Sequence, residues 1–340
     1  METGVSASPP TRWPWWRLAL AAVLIGLSTW LGTQAWLQAH VGQDAELDLV
    51  WQGVLDGTPH WRAYQNRLLG PWLVQGLSVS GLGGLPTFVA LSLLLGFGAL
   101  CLSLLRRHTE AWSAFGMGLA LMLWWLPMHH WSAPWDLLDM LFLLALCLLV
   151  ARGAPPWQLL VLYGVALWSR ESALIVCLYL ALCALHGRRW RLLAVAVAAG
   201  IAGLLVVHGL REALFRESPL PGVGWDEAHR ALGNHNNIAK NLDVLLHAQL
   251  TPMGQHALIA YAALLLLHGA AVVVFWRRGH TALALLCLTL LAYLGSMLVF
   301  GYVVEGRLYQ PLALSAAWLL CEMGQPSSGL HPLRRQETPR

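Results

Sequence analysis

The chain has 340 residues, of which 57% are hydrophobic and 11% charged, and a formal net charge of +4. Its basic residues, 20 Arg and the single Lys240, are spread along the chain and give no concentrated basic face, which excludes nucleic acid as a partner. Several apolar runs are long enough for a bilayer core of about 30 Å and lack the alternation of barrel strands, so the reading is all-α: a polytopic transmembrane helical bundle.

Residues 1–15 are read as a cytoplasmic tail. The apolar segment that follows Arg12 and Arg17 is too long for a cleaved leader and has no small-residue cleavage site before the next polar stretch, so it is read as a signal-anchor helix. Ten spans are expected, at roughly 16–39, 84–105, 112–128, 136–151, 156–168, 172–186, 190–209, 256–275, 280–300 and 306–322. They form one transmembrane domain over 16–322 with two long outer loops, 40–83 and 210–255, and a disordered cytoplasmic tail at 323–340. Six cysteines, Cys101, Cys147, Cys177, Cys183, Cys287 and Cys321, fall within or beside these spans without CxxC spacing and read as small core residues.

Basic residues set the orientation. Arg12, Arg17, Arg106, Arg107, Arg152, the group Arg188, Arg189 and Arg191, then Arg277, Arg278, Arg334, Arg335 and Arg340 share one side if ten helices alternate, and that side is the cytoplasm. Both termini lie there, which suits a bacterial inner membrane. Asp44, Glu46, Asp48, Asp56, Asp136, Asp139, Glu171, Asp243 and Glu305 fall on the outer side. Tryptophans at span ends read as interfacial anchors: Trp13, Trp15, Trp16, Trp157, Trp190 and Trp276 inside, Trp131, Trp135 and Trp225 outside.

In the first outer loop, Asp44, Glu46 and Asp48 place carboxylates at the membrane surface, where they are either a base for a membrane-bound substrate or a solvated acidic loop. Trp61, Tyr64, Leu68 and Trp72 then recur at helical spacing, which predicts an amphipathic helix lying in the interface. Arg67 within it either binds a lipid phosphate or snorkels. Between the third and fourth spans, Asp136 and Asp139 share a helix face, where they offset the helix dipole or serve a site. His129 and His130 are adjacent, and neighbouring histidines rarely point at one ion, so no metal site is assigned; a divalent metal is compatible with the chemistry but not indicated.

The stretch "WSRES" decides the middle of the chain. One helix over 156–186 would span about 46 Å and strand Arg170 at mid-depth. Two short helices broken at Ser169-Arg170-Glu171 instead bring the turn towards the outer face, into a protein cavity where irregular backbone is tolerated. Glu171 is expected to hold Arg170, which faces the ligand. Glu305 and Arg307 repeat the acid and base pattern at the last span. The second long loop carries Pro219, Pro221, Gly222 and Gly224, then an amphipathic segment near 237–248, and reads equally as lid or spacer.

These segments, "YQNRLLGPWL", "PWDLLDMLFLL", "LWSRESALIV" and "EGRLYQPLAL", resemble the polytopic C-type glycosyltransferases that use polyprenyl-phosphate-linked sugars. The resemblance implies an inverting transfer of a sugar from a lipid carrier to an envelope glycan or lipid on the outer face. Asp44 would be the general base, with Asp48 the second candidate, and Arg67, Arg170 and Arg307 would contact phosphate. Glu171, Asp136, Asp139, Glu305 and His130 would support them. The implied partners are the lipid bilayer, a polyprenyl-phosphate-linked substrate and other proteins of envelope biosynthesis. The chain departs from the family in having Ser169 where Asn is common and in lacking an Asp-x-Asp in the first loop. Two further readings stand beside it: a transporter or lipid-handling protein using Arg170 and Glu171, and a non-catalytic envelope-assembly scaffold.

Overall fold

Long runs of Leu, Ala and Val satisfy their backbone donors and acceptors in hydrocarbon only as helices. The computed structural model describes residues 13–58, 64–125, 133–214, 238–247, 252–301 and 308–325, and among these all regular structure is helical. The elements are α1 (Trp15–Ala39), α2 (Asp44–Leu55), α3 (Leu69–Val79), α4 (Gly84–Arg107), α5 (Glu110–Trp125), α6 (Pro134–Ala151) and α7 (Pro156–Ala166). A short 3-10 turn (Glu171–Leu174) then leads into α8 (Ile175–His186). They continue as α9 (Trp190–Leu214), α10 (Ile238–His247), α11 (Pro252–Arg277), α12 (Thr281–Phe300), a second 3-10 turn (Gln310–Leu312) and α13 (Ala313–Met323).

Apolar helices thus stand at the ten expected stretches, and six of them, α1, α4, α6, α9, α11 and α12, are long and apolar enough to cross a membrane. The others are shorter: 16 residues in α5, 11 in α7, 12 in α8 and 11 in α13. At 1.5 Å per residue an 11-residue helix reaches about 17 Å, roughly half of a bilayer core.

The centre of the bundle is α6. It packs against α3, α4, α7, α12 and α13, and 67% of its apolar window is buried, against 17% for α1 and α9 at the periphery. Close approach to its neighbours uses glycine. A Cβ on Gly96 of α4 would lie 2.5 Å from Leu314 Cδ1 and 3.2 Å from Leu141 Cδ2, so a larger residue there requires those leucines to shift, and glycine lets α4 seat against α6 and α13 as they stand. All six cysteines are free, five of them buried.

Two expectations are corrected. The first long loop is not a polar segment with a helix over 61–72. It holds α2 and α3, and the turn at 64–68 between them is buried at Tyr64, Gln65, Asn66, Arg67 and Leu68. Gly70 and Pro71 fall in the first turn of α3, where proline's missing N–H costs nothing, whereas inside a helix running through it would break the ladder. Of the periodic residues, Tyr64 and Leu68 face the protein interior, Trp72 is exposed, and Trp61 lies outside the described residues. Trp135 likewise is not an interfacial anchor: it is fully buried under Tyr64, with ring centroids 4.9 Å apart. Trp15, Trp157, Trp190 and Trp276 are exposed, at 80%, 62%, 67% and 53%. Trp131 and Trp225 lie outside the described residues.

Polar clusters occupy the two ends of α6. Asp136 sits in its first turn, and at the other end the Ala151 carbonyl accepts a bond of 3.3 Å from Arg107 Nη2. Fifteen residues of helix separate them, about 23 Å. Arg107 also pairs with the fully buried Glu322 of α13 at 3.3 Å, with His108 Nε2 3.5 Å from the same oxygen. Glu110, the first residue of α5, pairs with Arg17 of α1. These two acids lie among the arginines, so the separation of acids from bases along the chain is not complete. Where both signs share an end, they pair.

Candidate functional site

The break at "WSRES" is built by local hydrogen bonding. The Ser169 and Arg170 N–H groups both donate to Ala166 O, at 2.9 and 3.0 Å, ending α7, and Ala173 N–H donates to Arg170 O at 3.1 Å, starting the 3-10 turn. Trp168 O accepts from the Leu69 N–H at 2.9 Å, which ties the break to the start of α3. Arg170 itself is extended, with φ −164° and ψ 148°, so its side chain and that of Glu171 leave in different directions, as in a strand.

That divergence sets the electrostatics. Arg170 Nη1 lies 2.7 Å from Asp136 Oδ1 and 3.6 Å from Asp139 Oδ2. Glu171 turns to other arginines: Arg67 Nη2 is 2.7 Å from Oε1 and Arg67 Nε 3.4 Å from Oε2, a two-pronged contact, while Arg211 Nη2 of α9 is 3.4 Å from Oε1. Asn66 joins the two sides, donating to Glu171 Oε2 at 3.4 Å and accepting from Arg211 Nε at 3.0 Å. Glu171 therefore does not hold Arg170. It holds Arg67 and Arg211, and Asp136 holds Arg170.

Asp136 has a second task. Its Oδ2 accepts the Ala133 N–H at 3.0 Å and caps α6, so one side chain both caps the helix and pairs with Arg170. Asp139, one turn further in, accepts from Ser172 Oγ at 2.7 and 2.8 Å and from the Tyr293 hydroxyl at 3.4 Å. Arg67 is only 7% exposed and does not snorkel. Its guanidinium carbon sits 4.8 Å from the Tyr64 ring centroid and 5.6 Å from that of Trp135, a cation–π setting that fixes its fork.

Six of these groups, Arg67, Arg170, Glu171, Ser172, Arg211 and Tyr293, stand in the wall of a cavity of about 490 Å³. Apolar residues from α8, α9 and α12 form the rest, among them Leu178, Leu204 and Phe300, which are 39%, 54% and 62% exposed. The cavity is thus amphipathic, lined by charged groups and by exposed apolar side chains. Among the described residues, Arg170's side-chain hydrogen bond leaves from Nη1, to Asp136 Oδ1.

Of the remaining sequence candidates, only Asp48 has a described side chain. Asp48 is exposed, accepts from Trp51 Nε1 at 2.9 Å, and lines a separate cavity of about 360 Å³ with Trp36, Gln52 and Ser78. Asp44 begins α2, and its side chain lies outside the described residues, as do His130, Glu305 and Arg307. Among the described residues no group of three metal-ligating side chains comes together. Arg211, Asn66, Ser172 and Tyr293 are site residues that sequence reading missed. Arg211 alone carried a signal, as a lone arginine at the end of an apolar run.

The fold and the site define a class: an all-helical protein with six helices able to cross a membrane and an arginine-lined amphipathic cavity among them. No family model, curated protein or solved structure matches the chain.

Proposed function

We propose that the protein holds a polyprenyl-phosphate-linked sugar in this cavity and transfers the sugar to an envelope acceptor on the outer face of a bacterial inner membrane. The observation that carries the reading is the pairing of three arginines, Arg67, Arg170 and Arg211, with an apolar wall that runs out to exposed Leu178, Leu204 and Phe300. Guanidinium donors suit phosphate oxygens, and the apolar wall suits a lipid chain arriving from the bilayer. A soluble phosphate ester has no use for the second half of the site.

In the transfer, an acceptor hydroxyl oxygen attacks the anomeric carbon, and the bond from that carbon to the phosphate oxygen breaks with its electron pair on the phosphate. Arg170 and Arg211 stabilise the charge left there. A carboxylate takes the acceptor's proton; Asp44 is the first candidate and Asp48 the second. The orientation with both termini cytoplasmic and ten membrane-inserted helices belongs to the same reading, since it brings the cavity to the outer face. One observation favours a second reading, lipid handling without covalent chemistry: Asp48 lines its own cavity and not the arginine one.

Membranes containing wild-type protein, incubated with labelled polyprenyl-phosphate sugar, are expected to transfer label to an acceptor, and Arg170→Ala to lose most of that transfer. Asp44→Asn and Asp48→Asn separate the candidate bases. Undiminished transfer by both removes them from the mechanism, and bound lipid with no labelled product favours lipid handling.

A further inference from the structure

The inner wall of the cavity carries polar groups that a phosphate does not use. Asp139 is 3% exposed and sits on α6 about 4.5 Å deeper than Asp136. Ser172 donates its hydroxyl proton to this carboxylate, with Oγ 2.7 Å from Oδ1 and 2.8 Å from Oδ2, and Tyr293 of α12 donates to Oδ2 at 3.4 Å. An ionised carboxylate only accepts, and a hydroxyl has a single proton to give. Both protons are therefore committed to Asp139, and the hydroxyl oxygens of these two cavity-lining residues keep only lone pairs to offer. Arg170 Nη1, 3.6 Å from Asp139 Oδ2, is the cation that faces this carboxylate.

We propose that Ser172 and Tyr293, oriented by Asp139, form a hydrogen-bond-acceptor subsite that binds the hydroxyl groups of a head carried on the ligand's phosphate. The two polar walls then have opposite demands. The arginines offer N–H donors, which an ionised phosphate satisfies with its oxygens. The Ser172 and Tyr293 wall offers acceptors, which a phosphate cannot satisfy but a sugar or other polyol head can. An unpaired ligand oxygen against that wall is penalised, so the subsite selects for a phosphodiester bearing hydroxyls over a bare or alkyl-capped phosphate. Asp139 acts through the two hydroxyls and is a positioning residue. The inference rests on the phosphate-lipid reading for where the head lies, and not on sugar transfer.

Native mass spectrometry of the purified full chain with four lipids tests it: undecaprenyl phosphate, the same lipid carrying glucose on its phosphate, phosphatidylglycerol and phosphatidylmethanol. Wild type is expected to prefer the hydroxyl-bearing member of each pair. Ser172→Ala and Tyr293→Phe, which each remove one oxygen, should weaken that member about tenfold while leaving the other unchanged; Arg170→Ala should weaken all four. Asp139→Asn gives an independent arm that keeps side-chain shape, because its amide donates to one hydroxyl and turns that proton back to the cavity, and it should show the same selective loss. Equal losses for both members of a pair, or no loss, overturn the subsite. Preference confined to the phosphatidylglycerol pair supports the subsite and removes the glycosyl-carrier reading, and failure of wild type to bind any of the four overturns both.

Discussion

Arg170 and Glu171 are neighbours in sequence but belong to different halves of one charge cluster. The first lies 2.7 Å from Asp136 on α6; the second lies 2.7 Å from Arg67, just ahead of α3, and 3.4 Å from Arg211 on α9. The helix break therefore acts as a connector: two adjacent residues, pointing apart, join three elements that are 34 to 104 residues distant in sequence. A charge cluster of this kind specifies one arrangement of the helices, because any other leaves a charge buried without its partner.

The Arg170 and Asp136 side chains are 12% and 3% exposed. Removing one partner leaves the other charged and buried, so Asp136→Ala is expected to destabilise by about 3–5 kcal/mol, including the lost cap on α6. Arg170→Ala in addition should cost less than the two single losses added together. Thermal melting of the four proteins of that cycle in detergent checks both statements, and strict additivity contradicts the pairing.

Gly70 holds α3 against the start of α6. A Cβ there would lie 2.7 Å from Pro134 Cβ, 3.0 Å from Pro134 C and 3.1 Å from Trp135 N; the last two are backbone and cannot swing aside. Gly70→Ala should lower the melting temperature and weaken lipid binding, because Arg67 lies three residues upstream. Gly98→Ala, whose Cβ meets nothing within 4 Å, should be neutral or slightly stabilising.

At the opposite end, exposure separates two ion pairs. Glu322 is fully buried against Arg107 and His108, so Glu322→Ala should lower thermal stability strongly while leaving relative lipid affinities as in wild type. The Arg17 and Glu110 side chains are each 32% exposed. The Glu110 carboxyl is held below its usual range first by the backbone N–H at the start of α5 and, against the opposing effect of desolvation, by Arg17. Its contribution is present above the ordinary carboxylate range and is lost as pH falls through the lowered value. Arg17→Gln should barely move the melting temperature at neutral pH.

Asp48 lines a cavity of its own. Asp48→Asn is expected to leave the affinity for undecaprenyl phosphate within twofold of wild type, by the same mass-spectrometric titration. A large loss would mean that the two cavities communicate.

Much of this was legible in the sequence, and the boundary is physical. Helix positions follow from apolar run length, and the break at Ser169-Arg170-Glu171 follows from the cost of a charge at mid-membrane together with the basic residues beyond it. The choice of partner was not legible. Adjacent Arg170 and Glu171 suggest a pair, but an extended residue sends consecutive side chains apart, and the actual partners come from the turn ahead of α3, from α6 and from α9. The same difficulty hid the role of Tyr64, Leu68 and Trp135: an apolar period marks a buried face without saying whether lipid or protein covers it. Arg211 is not legible from run length because α9 continues to Leu214, five residues past the end of the apolar run, and carries its charge into the site.

The central claim is that the arginines of the cavity hold the phosphate of a membrane lipid. An electron cryomicroscopy map of the protein in nanodiscs containing undecaprenyl phosphate tests it most directly. The account predicts phosphate density within hydrogen-bonding distance of Arg170 and Arg211, with chain density passing Leu178, Leu204 and Phe300. A map in which the lipid phosphate sits at another place on the protein, with this cavity holding only solvent, would contradict it.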